Sequence, residues 1–345
     1  MRKLIVCGVV VGVSFVIFGF IPKHSATYYE AIKPEVQEAT RKGAKAKIIY
    51  RVVDDEGAPI TNTNVRGTWR NDFPRKTWDE TFVTNTNGEF VAKGTVGGAF
   101  GFFVRKEGYY LSSAGLNFHW RPGISPVVQD GKWQPYGEHR TIVVKRKKKP
   151  VEMMLHKWGI DGCRAPVTNT WFALDMELGQ WCPPYGEGRN NDALIRFTGK
   201  VIDDWTWDVT MEVSFTNMPY AGFYELSKDS YSGLKCCYEA STNNDAYARR
   251  QLVFRSKVSR ATLPGAPDLA ELPYDKYLVF RTRTKVDAEG KLISAHYGKI
   301  YGEWRVGPFR MRFGGNEDGL YFNPSSNDPN LEDLENVRQL KLLGQ

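Results

Sequence analysis

None of the five histidines (His24, His119, His139, His156 and His296) is followed three positions later by glutamate; the residues there are Thr27, Pro122, Ile142, Gly159 and Lys299. The chain therefore lacks both HxxE and HExxH, the spacings with which zinc peptidases hold their metal. It also lacks a GxSxG nucleophile elbow, and its scattered Ser, His and Asp residues form no recognisable triad. The glycines of "GTVGGAFGFF" from Gly94 lie between strand-like stretches instead of opening a helix, so backbone packing explains them better than phosphate binding. Cysteine is sparse, at five residues, and no CxxC pair points to zinc. These absences leave no catalytic residue, metal ligand or cofactor to assign, and the chain reads as non-enzymatic.

What is present first is an export signal. Arg2 and Lys3 precede an unbroken apolar run from Leu4 to Ile21, stopped by Pro22. The run is long for a signal-peptide core and just reaches the length of a membrane-spanning helix. Residues 1–26 are thus a signal peptide cut after Ala26 or an uncleaved anchor, with His24 where a cleavage site wants a small residue. Any membrane contact runs through residues 1–22. The remainder is expected outside the cytoplasm: periplasmic, at the cell surface or anchored to the inner membrane.

Export changes how two other features read. Cys163, Cys182, Cys236 and Cys237 form an even set in an oxidising compartment. A vicinal Cys236–Cys237 bridge is strained, so one or two disulfides joining Cys163 or Cys182 to that pair are expected. The net charge of +8 and the run Lys145-Arg146-Lys147-Lys148-Lys149 would suggest nucleic acid in a cytosolic protein. In an exported one the run reads as a solvated strand end entering a linker, and no nucleic-acid partner is expected.

Composition leans toward β structure: ten Trp, seventeen Tyr and nineteen Phe suit pleated, half-buried surfaces. Residues 27–45 are polar, with a short helix expected to end near Gly43. From Ala46, "AKIIYRVVD", "TNTNVRGTW", "ETFVTN", "EFVAKGTV" and "GAFGFFVRK" are short strands separated by turn residues, the spacing of an antiparallel sandwich. Asn87-Gly88 reads as a type I′ hairpin turn joining the strands on either side. "HRTIVVKRK" from His139 closes the unit. The second half alternates through Trp205–Val213 and turns at Asp287-Ala288-Glu289-Gly290, so it reads as another antiparallel β domain.

The order Tyr50–Ile60, Thr84–Phe90 and Phe103–Tyr110 resembles the carboxypeptidase regulatory-like domain, departing from its T-D-x-x-G-x-F turn because Thr86 is followed directly by Asn87-Gly88-Glu89-Phe90. The resemblance implies a small transthyretin-like β-sandwich, found on peptidases, receptors and surface proteins, whose motif specifies turns and core positions. The segments Glu177–Gly188, Tyr297–Gly302 and Tyr321–Glu332 resemble uncharacterised exported bacterial proteins that carry such a domain, which implies an architecture and no activity. The expected fold is all-β: an N-terminal apolar helix, a transthyretin/Ig-like β-sandwich over residues 46–146, and a β-rich C-terminal domain over 147–345.

Two candidate sites follow. Trp120, Trp133 and Tyr136 stand in a Gly/Pro-rich excursion, where rings on a loop make a recognition surface. The carboxylate pairs Asp203-Asp204 and Glu317-Asp318 are the remaining route to a glycosidase. Neighbours on a strand point to opposite faces, however, so turns or exposed edges account for them better. The expected function is a non-catalytic binding or structural module of the bacterial cell envelope, with a glycan or a surface protein as partner. The alternatives are a polysaccharide-acting hydrolase and an accessory subunit of a separately encoded partner.

Overall fold

The computed structural model describes residues 33–345 apart from 119–125, 159–162, 204–205, 216–217, 230, 259–275, 302–303, 314–317, 335–337 and 340–345. The expected signal or anchor segment lies outside the described residues, as do Trp120, Asp204 and Glu317. The chain is all-β and built from several mostly antiparallel sheets.

The helix α1 (Pro34–Lys42) opens the described chain. Pro34 supplies a preset φ at its start, Gly43 ends it at φ 83°, and Val36 and Ala39, three apart, are the face it buries. Nine strands follow: β1 (Ala44–Asp54), β2 (Asn64–Asp72), β3 (Arg75–Val83), β4 (Glu89–Val96), β5 (Ala99–Val104), β6 (Ser112–Asn117), β7 (Val128–Gln129), β8 (Lys132–Trp133) and β9 (Glu138–Val144). One sheet centres on β1, which pairs antiparallel with β4 and parallel with β8 and β9; the other runs β3-β2-β5-β6. Alternate residues of both sheets, including Tyr50, Trp69, Phe90, Phe100, Phe102 and Ile142, meet in a single core.

The Asn87-Gly88 segment does not close a hairpin. β3 and β4, on either side of it, lie in different sheets: β3 pairs with β2 and β4 with β1. A type I′ turn needs positive φ at both central residues, and here only Gly88 has it, at 75°. The Asn85 carboxamide instead accepts from the Asn87 and Glu89 amides, at 2.9 and 2.8 Å, making an Asx turn that carries the chain from one sheet to the other. A Cβ on Gly88 would stand 2.4 Å from the Val52 carbonyl, so glycine is required for contact as well as conformation.

The second half contributes β10 (Met154–His156), β11 (Cys163–Arg164), β12 (Phe172–Asp175), β13 (Gln180–Trp181), β14 (Ala193–Asp203), β15 (Thr206–Ser214), β16 (Gly222–Ser227), β17 (Gln251–Val258), β18 (Lys276–Val286), β19 (Leu292–Tyr301), β20 (Trp304–Gly307), β21 (Arg310–Phe313) and β22 (Gly319–Phe322). The expected Asp287–Gly290 turn joins β18 to β19 as an antiparallel hairpin, with the Asp287 carboxylate capping the Glu289 and Lys291 amides. Strand β18 is buried on both sides. Leu278 and Phe280 face the core shared with β12, β14, β15 and β17, whereas Tyr277 and Val279 face a second, tyrosine-rich core under residues 234–247 and Leu331. That explains the near-continuous apolar run "YLVF" in a half otherwise read by alternation.

The lysine run is solvated at Arg146, Lys148 and Lys149, as expected, and is also a joint between the two halves. Lys145 Nζ donates to the Leu234 and Cys236 carbonyls at 3.1 and 2.8 Å, and Arg146 pairs with Asp54 at 2.9 Å. Lys148 stands 4.0 Å over the Tyr238 ring. Buried Glu332 accepts the Lys148 and Lys149 amides at 2.6 and 2.7 Å. Arg146 is met by Asp54 of the first half, and Lys145, Lys148 and Lys149 by carbonyls, a ring and a carboxylate of the second, contacts that the sequence of the run alone gives no means of seeing.

Candidate functional site

A cleft of about 270 Å³ opens where the two sheets of the first half separate and the second half reaches over them. It is lined by Tyr50, Ala114, Gly115, Arg140, Ile142 and Tyr231. Tyr50 and Arg140 are Cα partners on the parallel pair β1 and β9, so both point to the interior face; Ile142, two residues on, continues that face into the core. Glu138 and Arg140 therefore hold inward positions at the end of the sheet where the apolar core runs out. Arg140 Nη2 donates to Glu138 Oε1 at 2.9 Å, and its buried Nε has no hydrogen-bond partner among the described residues.

The opposite wall is narrow because Ala114 and Gly115 offer almost no side chain. Tyr231 is brought in by a tight turn in which Asp229 Oδ1 accepts the Tyr231 and Ser232 amides, at 2.9 and 3.3 Å. Lys145 holds Asp229 at 3.4 Å, and the Tyr231 carbonyl accepts the Ser113 amide at 2.8 Å, so the turn extends the edge of β6. The Arg140 guanidinium, held by Glu138, and the Tyr50 and Tyr231 side chains around a small recess can hydrogen-bond a ligand; among the described residues, no cluster of His, Cys, Asp and Glu is arranged to hold a metal.

Two buried ionic clusters lie elsewhere. Arg283, at φ 50° on the bulge of β18, donates from Nε and Nη2 to Asp192 at 2.8 and 2.9 Å, from Nη2 to Asp175 at 3.1 Å, and from Nη1 to Glu177. Asp175 also accepts the amides of Glu177, Leu178, Arg189 and Asn190. Burial pushes Asp192 above the usual carboxylate range, against the pull of Arg283. Burial also opposes the Arg283 charge, but its bonds with Asp192 and Glu177 raise it overall. The side chains of Asp175 and Asp192 have no exposed surface, whereas that of Glu177 is partly exposed; the Arg283 fork ties all three and fixes the loop between β12 and β14. Its loop, "MELGQWCPPYGEGRNND", is visible in the sequence as a cluster of turn residues; its partner Arg283 carries no local signal.

The second cluster surrounds Lys299, whose side chain is wholly buried. Nζ donates to the Leu331 carbonyl at 2.7 Å and to Asp333 Oδ1 at 2.5 Å, lies 3.6 Å from Cys236 Sγ, and stands over the Tyr301 and Tyr321 rings at 4.8 and 4.9 Å. Burial works against the ammonium, but the adjoining Cys236 and Asp333 raise its pKa overall.

The residues expected to bind are placed differently. Trp133 is 2% exposed, packs on Phe118 in the core and donates Nε1–H to the Val96 carbonyl at 2.7 Å, which removes it from any surface. The bond satisfies the one polar atom that a tryptophan must place when buried. Tyr136 is half-buried, with Lys132 Nζ 5.3 Å from its ring centre. The disulfides expected between Cys163 or Cys182 and the Cys236/Cys237 pair do not form: all four are free thiols. Cys163 belongs to the core of β12–β17 and Cys236 to the tyrosine-rich core on the far side of β18, so the central sheet separates them. Cys182 donates to the Asn190 carbonyl and Cys237 to that of Glu239, at 3.2 and 3.0 Å. Burial pushes Cys163 up to about 12 and Cys182 up to about 11, leaving both as unreactive thiols. Of the carboxylate pairs, Asp203 ends β14 at a bulge and Asp318 is buried at the start of β22.

No known protein family matches the chain, and no curated protein does so either. Solved structures give partial likenesses. A 3-chlorocatechol 1,2-dioxygenase from Rhodococcus opacus aligns over 30% of this chain and 61% of its own at 14% identity, with a TM-score of 0.24. The chain thus spans about three fifths of that enzyme's length. A candidate carbohydrate-binding protein from Bacteroides uniformis aligns over 83% of this chain and all of its own at 10% identity and a TM-score of 0.18. The shaft pilin spaA of Lactobacillus rhamnosus aligns over 76% and 88% at 9% identity and 0.21. At these scores the likenesses transfer neither an activity nor a ligand.

Proposed function

We propose that the chain is an exported, non-catalytic binding module of a bacterial cell envelope, its first half a transthyretin-like sandwich of the carboxypeptidase regulatory-like kind, and that it holds one neutral sugar of a surface glycan in the cleft between Tyr50, Arg140 and Tyr231. The observation that carries the reading is the inward Glu138–Arg140 pair at the mouth of the first core, with a donor on Arg140 still to be satisfied. A sugar hydroxyl both donates and accepts, so a paired carboxylate and guanidinium serve it without net charge, while the half-buried Tyr231 ring offers an apolar face. A recess of about 270 Å³ falls just below the usual range for drug-sized ligands, which suits a single ring.

The test is retention of the purified protein on immobilised neutral and acidic envelope polysaccharides. Arg140→Ala and Tyr231→Ala should each weaken retention on the neutral polymer by ~1–3 kcal/mol with the melting temperature little changed. Equal binding by wild type and both variants sinks the assignment of the cleft. Turnover of the polymer, lost when one carboxylate is changed, replaces the binding module with a hydrolase.

A further inference from the structure

Lys299 and Asp333 meet the conditions for a covalent bond. Lys299 sits near the C-terminal end of β19, faces the tyrosine-rich core and has no exposed side-chain surface. Asp333 belongs to the segment after β22, which crosses back under the sheet: Leu331 donates its amide to the Tyr238 carbonyl and Val151 donates to the Glu332 carbonyl. The amine nitrogen is already 2.5 Å from a carboxyl oxygen of Asp333, and the rings of Tyr301 and Tyr321 stand beside it. Buried beside them, the Tyr301 hydroxyl has no oxygen or nitrogen partner among the described residues and lies against the Cys236 thiol, whose sulfur is also 3.6 Å from Lys299 Nζ.

We propose that Lys299 and Asp333 condense to an intramolecular amide, a self-made isopeptide crosslink between β19 and the C-terminal segment. A proton first passes within the pair from Nζ to the carboxylate, giving a neutral amine and a neutral acid. The exchange removes the charge on the wholly buried Lys299 ammonium, against the attraction of Asp333 that holds the pair ionised at rest. Nζ then attacks Asp333 Cγ: the C–N bond forms, a C–O bond breaks, and the departing hydroxyl leaves with a proton from Nζ as water. All electrons remain paired, so no oxidant is consumed. The Tyr301 O–H is the nearby donor available to the oxygen that gains charge as Cγ becomes tetrahedral, in the manner of an oxyanion hole.

Two geometric facts favour the reaction over a resting ion pair. Both partners are fixed by packing and by backbone bonds on either side, which replaces a bimolecular encounter with a held approach. The amine also lies wholly inside the core, with Asp333 partly covered beside it, which limits the water that could reverse the step. Because the ionised pair is the resting form, the bond grows in slowly after folding.

The test is mass spectrometry on the purified chain, fresh and after a week at room temperature. The wild type should become lighter by one water than its sequence requires, and proteolysis should release a branched peptide joining the Lys299 and Asp333 segments. Asp333→Asn should yield the same branched peptide with loss of one ammonia instead, while Asp333→Ala and Lys299→Met should keep their calculated masses. Tyr301→Phe should slow growth of the crosslink at least tenfold with the fold retained by circular dichroism. Wild-type and Asp333→Asn chains that are folded, keep their sequence masses after the week and give no branched peptide overturn the proposal. This result is independent of whether the cleft at Arg140 binds sugar.

Discussion

Replacing Arg283 by methionine tests whether the carboxylate trio is structural. Methionine keeps most of the stem and packing volume and removes only the guanidinium. Asp175 and Asp192 then stand with no exposed side-chain surface and no cation, while Glu177 loses its partner. Asp175 retains four backbone amide donors and Asp192 the Met176 amide and, at 3.3 Å, the Thr282 hydroxyl, so the deficit falls chiefly on Asp192. Breaking a buried pair by removing one partner costs about 3–5 kcal/mol, and that range is expected from urea unfolding at pH 7. Arg283→Lys should recover less than half, because a single ammonium cannot replace a fork that spans three carboxylates. The pH dependence supplies an internal check. Without Arg283 the Asp192 carboxyl rises further above its unfolded value, so its favourable contribution is complete below the unfolded pKa of 3.8 and is lost as pH climbs through the folded one. The deficit of the variant should therefore shrink as pH is lowered from 7 toward 4, and Asp192→Asn in the Arg283→Met background should recover stability at pH 7. A loss under ~1 kcal/mol at pH 7, or one that grows on acidification, refutes the account.

Trp133→Ala should cost about 3–5 kcal/mol by leaving a cavity under β8 and an unpaired Val96 carbonyl, read as a lower urea midpoint with glycan retention per folded molecule unchanged. His156 and His296 are both held below the ordinary 6.5 by burial, so the unfolded chain takes up their protons first. The stability they contribute is present above 6.5 and lost as pH falls below it, and His156→Gln should flatten the fall in melting temperature between pH 7 and 5.5. Glu332→Ala should cost about 1–3 kcal/mol, since it leaves two part-buried amides at the joint without their acceptor, and calorimetry should resolve two transitions where the wild type shows one.

Local signals in the chain carried the β character, the Asp287–Gly290 hairpin and the helix ended by Gly43, because each depends on residues close in sequence. Asn87-Gly88 misled for the same reason: its local preference is for a hairpin, and the choice of partner strand rests on Trp69, Phe90 and Tyr50 sharing one core. The Trp133 ring looked exposed because Gly131, Pro135 and Gly137 around it are turn formers, yet turns that fold back on a sheet bury their rings. The Arg140 cleft and the Lys299 cluster were invisible in advance, being assembled across separations such as Ser113 to Tyr231 and Lys299 to Asp333. An oxidising compartment would permit disulfides, but pairing is a matter of distance, and the central sheet stands between Cys163 and Cys236.

Strand β1 begins the first half, β9 ends it, and the two lie side by side in parallel register from Ile48 opposite Glu138 to Asp54 opposite Val144. In mechanical terms this is a shear joint. A pull that draws the start of β1 away from the end of β9 acts along the strands, and the rungs of the ladder must then fail together, as stitches do in a seam loaded lengthwise. An antiparallel pair joined by a hairpin, pulled from its two free ends, opens one rung at a time. A chain held at one end and loaded at the other would thus meet its stiffest resistance where its first and last strands of this half run together, and Tyr50 and Arg140, neighbours across that seam, would feel the load directly.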